Sequence, residues 1–313
     1  MEEVPVIDVG PLRDGSAAGL AVVARAIGAA ARDIGFFAIA NHGVSGALVD
    51  EMFGAARTFF AQPQAFKDAL AIERSPTYVG YARLELEKLD PARPGDAKES
   101  FNLGRERAPD DPEVVAGKPF AGTNQWPDLP GFRASMLRYF DALTHTAHAV
   151  HRAIAADLGL PPDYFGPFYD RPLSALRVLH YPPHPGTFDG SQYGAGPHTD
   201  YGGITLLAQD ETGGLEVRRR DGGWMPVTPV AGTFVCNIGD ALMRWTNDVY
   251  VSNAHRVVNR SGRERFSAAF FYEPNPDAQI ACIPSCADPA HPAKYAPIAF
   301  ADLLRSRLEP TYR

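Results

Sequence analysis

The fold this sequence predicts is a double-stranded β-helix, or jelly roll, as a mainly β core with N-terminal α-helices wrapped around it. Three observations predict it. Residues 175–272 divide into short apolar runs separated by Gly, Pro, Asn and Asp, the pattern of a sandwich or barrel. Residues 17–60 and 130–158 carry helical periodicity instead. No linker or internal repeat divides the halves, so they are expected to pack as one unit. Residues 1–125 then form an N-terminal region with a lid segment, and 126–313 a jelly-roll domain with a C-terminal helix.

Each element has a local reason. Val4–Val9 and Gly35–Ala40 read as strands, with an alanine-rich helix at Ala17–Asp33 between them. Ser45 is a good N-cap for a helix to Phe60, where Leu48, Val49, Met52, Phe53, Ala56, Phe59 and Phe60 recur at three- and four-residue steps. Residues 74–126 lose periodicity and gain Pro, Gly, Asp and Glu, as lids and binding loops do. A long helix follows over Pro130–Leu158. Its His145, His148 and His151 fan around the axis at 100° per residue, so edge or surface histidines are expected there rather than a metal site. Strands are expected at 175–181, 204–209, 214–217, 226–227, 233–238, 254–258 and 266–272.

Composition narrows the function. The 313 residues carry a formal net charge of −7, which disfavours nucleic acid or an anionic membrane as partner. The basic run Arg218–Arg220 precedes Asp221–Gly222–Gly223 and reads as a solvated hairpin end. Cys236, Cys282 and Cys286 are too few for a disulfide scaffold and lack zinc-site spacing. The acidic N-terminus has no secretory pattern, and no apolar run reaches membrane-span length, so a cytoplasmic protein is expected. Oligomeric state is not legible.

The chemistry concentrates in the second half. In His198–Thr199–Asp200, residues two apart point to one side of an extended chain, so both side chains can reach one ion. His255 lies in a later strand-like run. Two imidazoles and a carboxylate on one side of a metal leave the opposite positions open, the arrangement suited to iron(II) enzymes that must also hold a cosubstrate and dioxygen. Arg265 and Ser267 again share a strand face, and a guanidinium beside a hydroxyl makes a clamp for a carboxylate. The Tyr181 phenol offers a third hydrogen bond.

Taken together, His198–Thr199–Asp200, His255 and Arg265–Phe266–Ser267 resemble the 2-oxoglutarate/Fe(II) dioxygenases related to isopenicillin N synthase. The resemblance extends over nearly the whole chain, through Ile34–Phe37, Asn41–Val44, Gly80–Tyr81, Asp96–Phe101, Asn237–Asp240 and Ser252–Val258. It implies iron ligation by His198, Asp200 and His255, and capture of the distal carboxylate of 2-oxoglutarate by Arg265 and Ser267 with Tyr181. One departure is Leu179, where plant relatives usually carry Asn. His42, in the Asn-His-Gly turn, is expected to be structural.

The implied reaction oxidises a small organic molecule, by hydroxylation as the default, with O2 consumed and succinate and CO2 released. Strand parity places Phe271 and Glu273 on the face of Arg265, and Arg177 on that of Tyr181. These are expected to line the substrate pocket unless Glu273 and Arg177 simply pair at its rim. Tyr81 and Phe101 are further pocket candidates, and with Arg83 and residues 303–312 they are lid candidates. Two other readings remain open: an iron oxidase of the isopenicillin N synthase or aminocyclopropane-carboxylate oxidase type that does not use 2-oxoglutarate, and a non-catalytic jelly-roll binding protein.

Overall fold

Capping and periodicity set the helices. In the structure, a computed structural model describing residues 3–89, 93–183, 190 and 192–311 (the last three by backbone only), α1 spans Ala17–Asp33 and α2 Gly46–Phe60. Their N-cap hydroxyls, Ser16 and Ser45, accept from the Gly19 and Leu48 amides at 3.0 and 3.3 Å. Short helices α3 (Gln64–Asp68) and α4 (Pro112–Val115) follow, then α5 (Phe132–Asp157), α6 (Asp240–Trp245) and α7 (Phe300–Thr311). No described helix is long and apolar enough to cross a membrane.

The strands are β1 (Val6–Asp8), β2 (Phe36–Ala40), β3 (Gly80–Ala82), β4 (Glu99–Gly104), β5 (Ala175–Tyr181), β6 (Ala195–His198) and β7 (Ile204–Gln209). After them come β8 (Leu215–Arg218), β9 (Trp224–Pro226), β10 (Thr233–Ile238), β11 (His255–Val257), β12 (Arg265–Tyr272), β13 (Gln279–Ile280) and β14 (Ile298–Ala299). Among the described residues they form a large sheet in the order β1-β2-β10-β7-β12-β5-β4-β3 and a small one in the order β6-β11-β8-β9, with β13 and β14 as a separate pair. The first four strands, all from the N-terminal region, extend both edges of the large sheet.

The large sheet has two buried faces, because α1, α2 and α5 cover one and the small sheet covers the other. On β12, Phe266, Ala268, Phe270 and Tyr272 join the helix-side core. Residues of the opposite parity face the small sheet, where Leu179, Tyr181 and Ala269 meet Ala195, Leu215, Val217 and Val257. The functional residues lie in this second, smaller interior.

Two expectations are corrected. Residues 74–126 are not all irregular: β3 and β4 pair with each other and with β5. His151 is not an edge residue. It is 2% exposed, with its ring against Phe165, Tyr169 and Tyr272, and burial pushes its pKa down to about 3. Helix periodicity locates the apolar stripe, but it does not show that a neighbouring aromatic layer also covers the stripe's flank.

Candidate metal and cosubstrate site

His198 ends β6 and His255 opens β11, and the two are direct cross-strand partners on the inner face of the small sheet. Asp200 follows two residues later. One ligand atom from each of the three lies within 4.8 Å of the others. Asp200 Oδ1 is 3.9 Å from His198 Nε2 and 3.7 Å from His255 Nε2.

The surroundings fix which atoms face inward. His198 Nδ1 lies 2.7 Å from the Gly196 carbonyl and His255 Nδ1 lies 3.3 Å from that of Asn253, so Nδ1 is the protonated nitrogen and Nε2 is left for a metal. Asp200 Oδ2 accepts from Asn237 Nδ2 at 2.7 Å and Thr205 Oγ1 at 2.5 Å, which turns Oδ1 toward the imidazoles. Phe36 meets His255 edge-on at 5.3 Å. Burial, then the neighbouring His255, pushes His198 down to about 3, so its imidazole is neutral and ready to coordinate. Asp200 stays below the ordinary carboxylate range in spite of burial, with His255 beside it and hydrogen bonds from Asn237 and Thr205 favouring the charged form. The donor set fits a divalent iron on one face.

The loop after Asp200 is held by close backbone contact. A Cβ on Gly239 would lie 2.4 Å from the Gly202 carbonyl oxygen, and a Cβ on Gly202 would lie 2.7 Å from Glu273 Cγ. Glycine is required at both positions to bring Asp200 under β10.

Arg265 is fully buried beneath this site. Among the described residues its donors meet only neutral oxygens: the Gly213 carbonyl at 2.5 Å, Ser267 Oγ at 3.0 Å and Gln209 Oε1 at 3.2 Å. Its guanidinium carbon stands 4.7 Å from the Tyr181 ring centre, and Tyr181 is its register partner on β5. A buried guanidinium with no acid among its bonding partners is arranged to receive an anion. Leu179 lines the same cavity one step along β5.

The cavity, about 200 Å³, runs from Arg265 past the metal ligands toward the far end of β12, and Phe271, Glu273 and Arg177 all line it. Arg177 donates to Glu87 Oε1 at 2.7 Å and lies 5.7 Å from the Phe271 ring centre. Glu273 therefore does not take Arg177 as a hydrogen-bonded rim partner; its carboxyl accepts no bond among the described residues. Burial, then the charge on Asp200, pushes its pKa up to about 8.

Tyr81 and Phe101 correct the sequence reading. Cross-strand partners on β3 and β4, they face the helices; Phe101 packs on Phe59 and Phe132, and Tyr81 donates to Glu99 at 2.5 Å. The alternate residues, Asn102 and Gly104, face the cavity. Arg83 is exposed and paired with Glu73. Of the C-terminal lid segment, Leu304 and Leu308 line the cavity, whereas Tyr312 lies outside the described residues.

Sequence reading missed a buried charge cluster: Lys98 bridges Glu87 at 2.9 Å and Asp96 at 2.8 Å, and Asp96 Oδ1 accepts from the Gly196 amide at 3.0 Å. The cluster ties the N-terminal region to the strand that carries His198. The Asp-x-Lys spacing was its only sequence signal. His42 stacks on Phe234 at 4.1 Å, away from the site.

A jelly roll with two imidazoles and one carboxylate grouped on one side, beside a buried arginine, defines a non-haem metal oxygenase. Comparison with known proteins specifies the family. Residues 4–129 match the model of the N-terminal region of non-haem dioxygenases in morphine synthesis, and residues 172–274 that of the 2OG-Fe(II) oxygenase superfamily. The chain belongs to that superfamily and is a 2-oxoglutarate-dependent non-haem iron dioxygenase, using Fe(II), 2-oxoglutarate and O2. A 2-oxoglutarate-Fe(II) type oxidoreductase, hxnY of Emericella nidulans, is 35% identical, with 98% of this chain and 90% of that protein covered. A full-length Neurospora crassa protein, solved in complex with α-ketoglutarate, is 33% identical at a TM-score of 0.87, covering 98% and 96% of the two chains. The same Neurospora protein has also been solved with α-ketoglutarate and thymine, at a TM-score of 0.86. A putative 2OG-Fe(II) oxygenase family protein of Caulobacter crescentus is 32% identical at 0.86, covering 99% of each.

Proposed function

We propose that His198, Asp200 and His255 hold the iron, that Arg265 and Ser267 with Tyr181 hold the distal carboxylate of 2-oxoglutarate, and that a small organic molecule is hydroxylated against Phe271, Glu273 and Arg177. The observation that carries this reading is Arg265: a buried cation whose partners among the described residues are all neutral, in the same cavity as three convergent metal-ligating atoms.

Bound iron, with 2-oxoglutarate and dioxygen, supplies the oxidation, and succinate and CO2 are its coproducts. The protein's own contribution is placement. Asn237 and Thr205 aim one Asp200 oxygen, and the Gly196 and Asn253 carbonyls set the histidine tautomers. Ser267 and Gln209 fix the plane of the Arg265 fork before the cosubstrate enters. Leu304 and Leu308 on α7 close one wall against water. Three free cysteines fit a reducing, cytoplasmic compartment.

The test is anaerobic titration of the iron(II) protein with 2-oxoglutarate, followed by the visible charge-transfer band of the keto acid chelated to iron. Arg265→Met is expected to weaken 2-oxoglutarate by at least about tenfold while one iron per chain still binds. His255→Ala is expected to abolish stoichiometric iron binding. Unchanged 2-oxoglutarate affinity in Arg265→Met refutes the cosubstrate assignment. With a substrate in hand, one succinate per oxidised product is expected.

A further inference from the structure

A charge ledger of the cavity singles out a second under-compensated guanidinium besides Arg265. Lys98 and Arg177 lie against Glu87 and Asp96, two cations with two anions. Asp200 belongs to the metal. Glu273 makes no ion pair with either of the remaining arginines among the described residues. That leaves Arg105 and Arg107, which follow β4 and line the cavity.

Among the described residues these two arginines share one ion-paired carboxylate, Glu113, while Asp111 acts on Arg107 only from a longer range. Arg105 and Arg107 reach Glu113 Oε2 at 3.3 and 3.4 Å, long contacts for a charged pair. The other oxygen, Oε1, is taken at 2.8 Å by Arg171, which also pairs with Asp277 at 3.0 Å. The side chain of Arg107 is only 4% exposed, and its Nε has no hydrogen-bond partner among the described residues. A buried fork donor without an acceptor is costly, and the cost is relieved when an anion enters.

Register separates this charge from the cosubstrate end. Tyr181 opposes Arg265 at one end of the β12–β5 pairing, and Ala175 opposes Phe271 and Gly104 at the other. At about 3.3 Å per residue, Phe271 lies roughly 20 Å along the strand from Arg265. Arg105 and Arg107 continue from Gly104, so they lie at the Phe271 end. An anion there would not compete with 2-oxoglutarate.

Resting on the reading of this cavity as the substrate site, we propose that the substrate is a small organic acid whose anionic group docks on Arg107, assisted by Arg105, with its apolar body lying over Phe271 toward the metal. The apolar wall supplied by Leu173, Phe120 and Phe271 fits a ring or short chain between the two ends.

The test uses the full chain with iron(II) and saturating 2-oxoglutarate under argon. Calorimetry compares benzoate, phenylacetate and 3-phenylpropanoate with their carboxamides, which match them in shape but lack the charge. At least one acid is expected to bind about tenfold or more tighter than its amide, about 1.4 kcal/mol. Arg107→Met is expected to bring that ratio to within about twofold while 2-oxoglutarate affinity stays unchanged. Glu113→Gln, which removes the competing carboxylate, is expected to tighten the acids about threefold and leave the amides alone, a gain that damage to folding does not produce. The proposal is overturned if no acid binds at about 10 mM, if amides match acids, if Arg107→Met keeps the ratio, or if Glu113→Gln leaves the acids unchanged. Arg265→Met separates the two readings: it is expected to lose 2-oxoglutarate, and a failure there counts against the cosubstrate assignment alone.

Discussion

Replacing Asn237 by Leu isolates how much the protein's orientation of one carboxylate contributes to metal binding. Asn237 is 3% exposed on β10, and its amide donates to Asp200 Oδ2 at 2.7 Å. Leucine is close in volume, so the strand pairings with Phe36 and Thr205 are expected to persist. The loss is one charge-assisted hydrogen bond to a buried anion, about 1.5–3 kcal/mol. Thr205 still donates to the same oxygen, which places the expected cost at the lower end, near 2 kcal/mol. Iron(II) affinity should therefore fall by about 10–100-fold, the range typical for partners of metal ligands. Anaerobic competition against a chromophoric chelator measures it, with thermal melting as a check on folding. A dissociation constant within about twofold of wild type, in a folded variant, would show that Thr205 or the loop backbone alone aims Asp200, and the orientation argument would fail.

Other perturbations address other parts of the structure. Lys98→Met leaves Glu87 and Asp96 buried without the ammonium between them, and equilibrium denaturation is expected to show a loss of about 3–5 kcal/mol; a loss under about 1 kcal/mol would mean that the carboxyls protonate or hydrate freely. Gly239→Ala drives a Cβ into the Gly202 carbonyl oxygen, and both melting temperature and iron affinity should drop; an unaltered protein would show the contact to be soft. Glu273 has a folded pKa raised from 4.5 to about 8, so its stabilising contribution is complete below about 4.5 and is lost as pH rises through 8. Metal-free Glu273→Gln, which cannot ionise, should therefore gain on wild type between pH 4.5 and 8, by about 5 kcal/mol at most, and a difference in unfolding free energy independent of pH would contradict the buried-acid description.

Legibility followed the range over which the physics acts. The helix at 17–33 and the strands at 175–181, 204–209 and 233–238 were readable to the residue, because capping, alanine content and short apolar runs between turn residues are local signals. Parity along a strand was equally local, and it placed Phe271, Glu273 and Arg177 on the cavity side. It failed for Tyr81 and Phe101, because the segment from 74 to 126 showed no strand pattern to which parity could be applied; in the folded chain both rings turn to the helices.

By itself the sequence determined the chemistry available: two histidines, a carboxylate and an arginine-serine pair at spacings that only extended chain turns to one side. Tertiary structure decided what those groups meet. That His198 opposes His255, that Asn237 aims Asp200, and that Arg265 meets no acid among the described residues all depend on contacts between segments tens of residues apart. So does the sharing of Glu113 by Arg105, Arg107 and Arg171. Burial and charge compensation are properties of a neighbourhood, and only the folded chain assembles the neighbourhood.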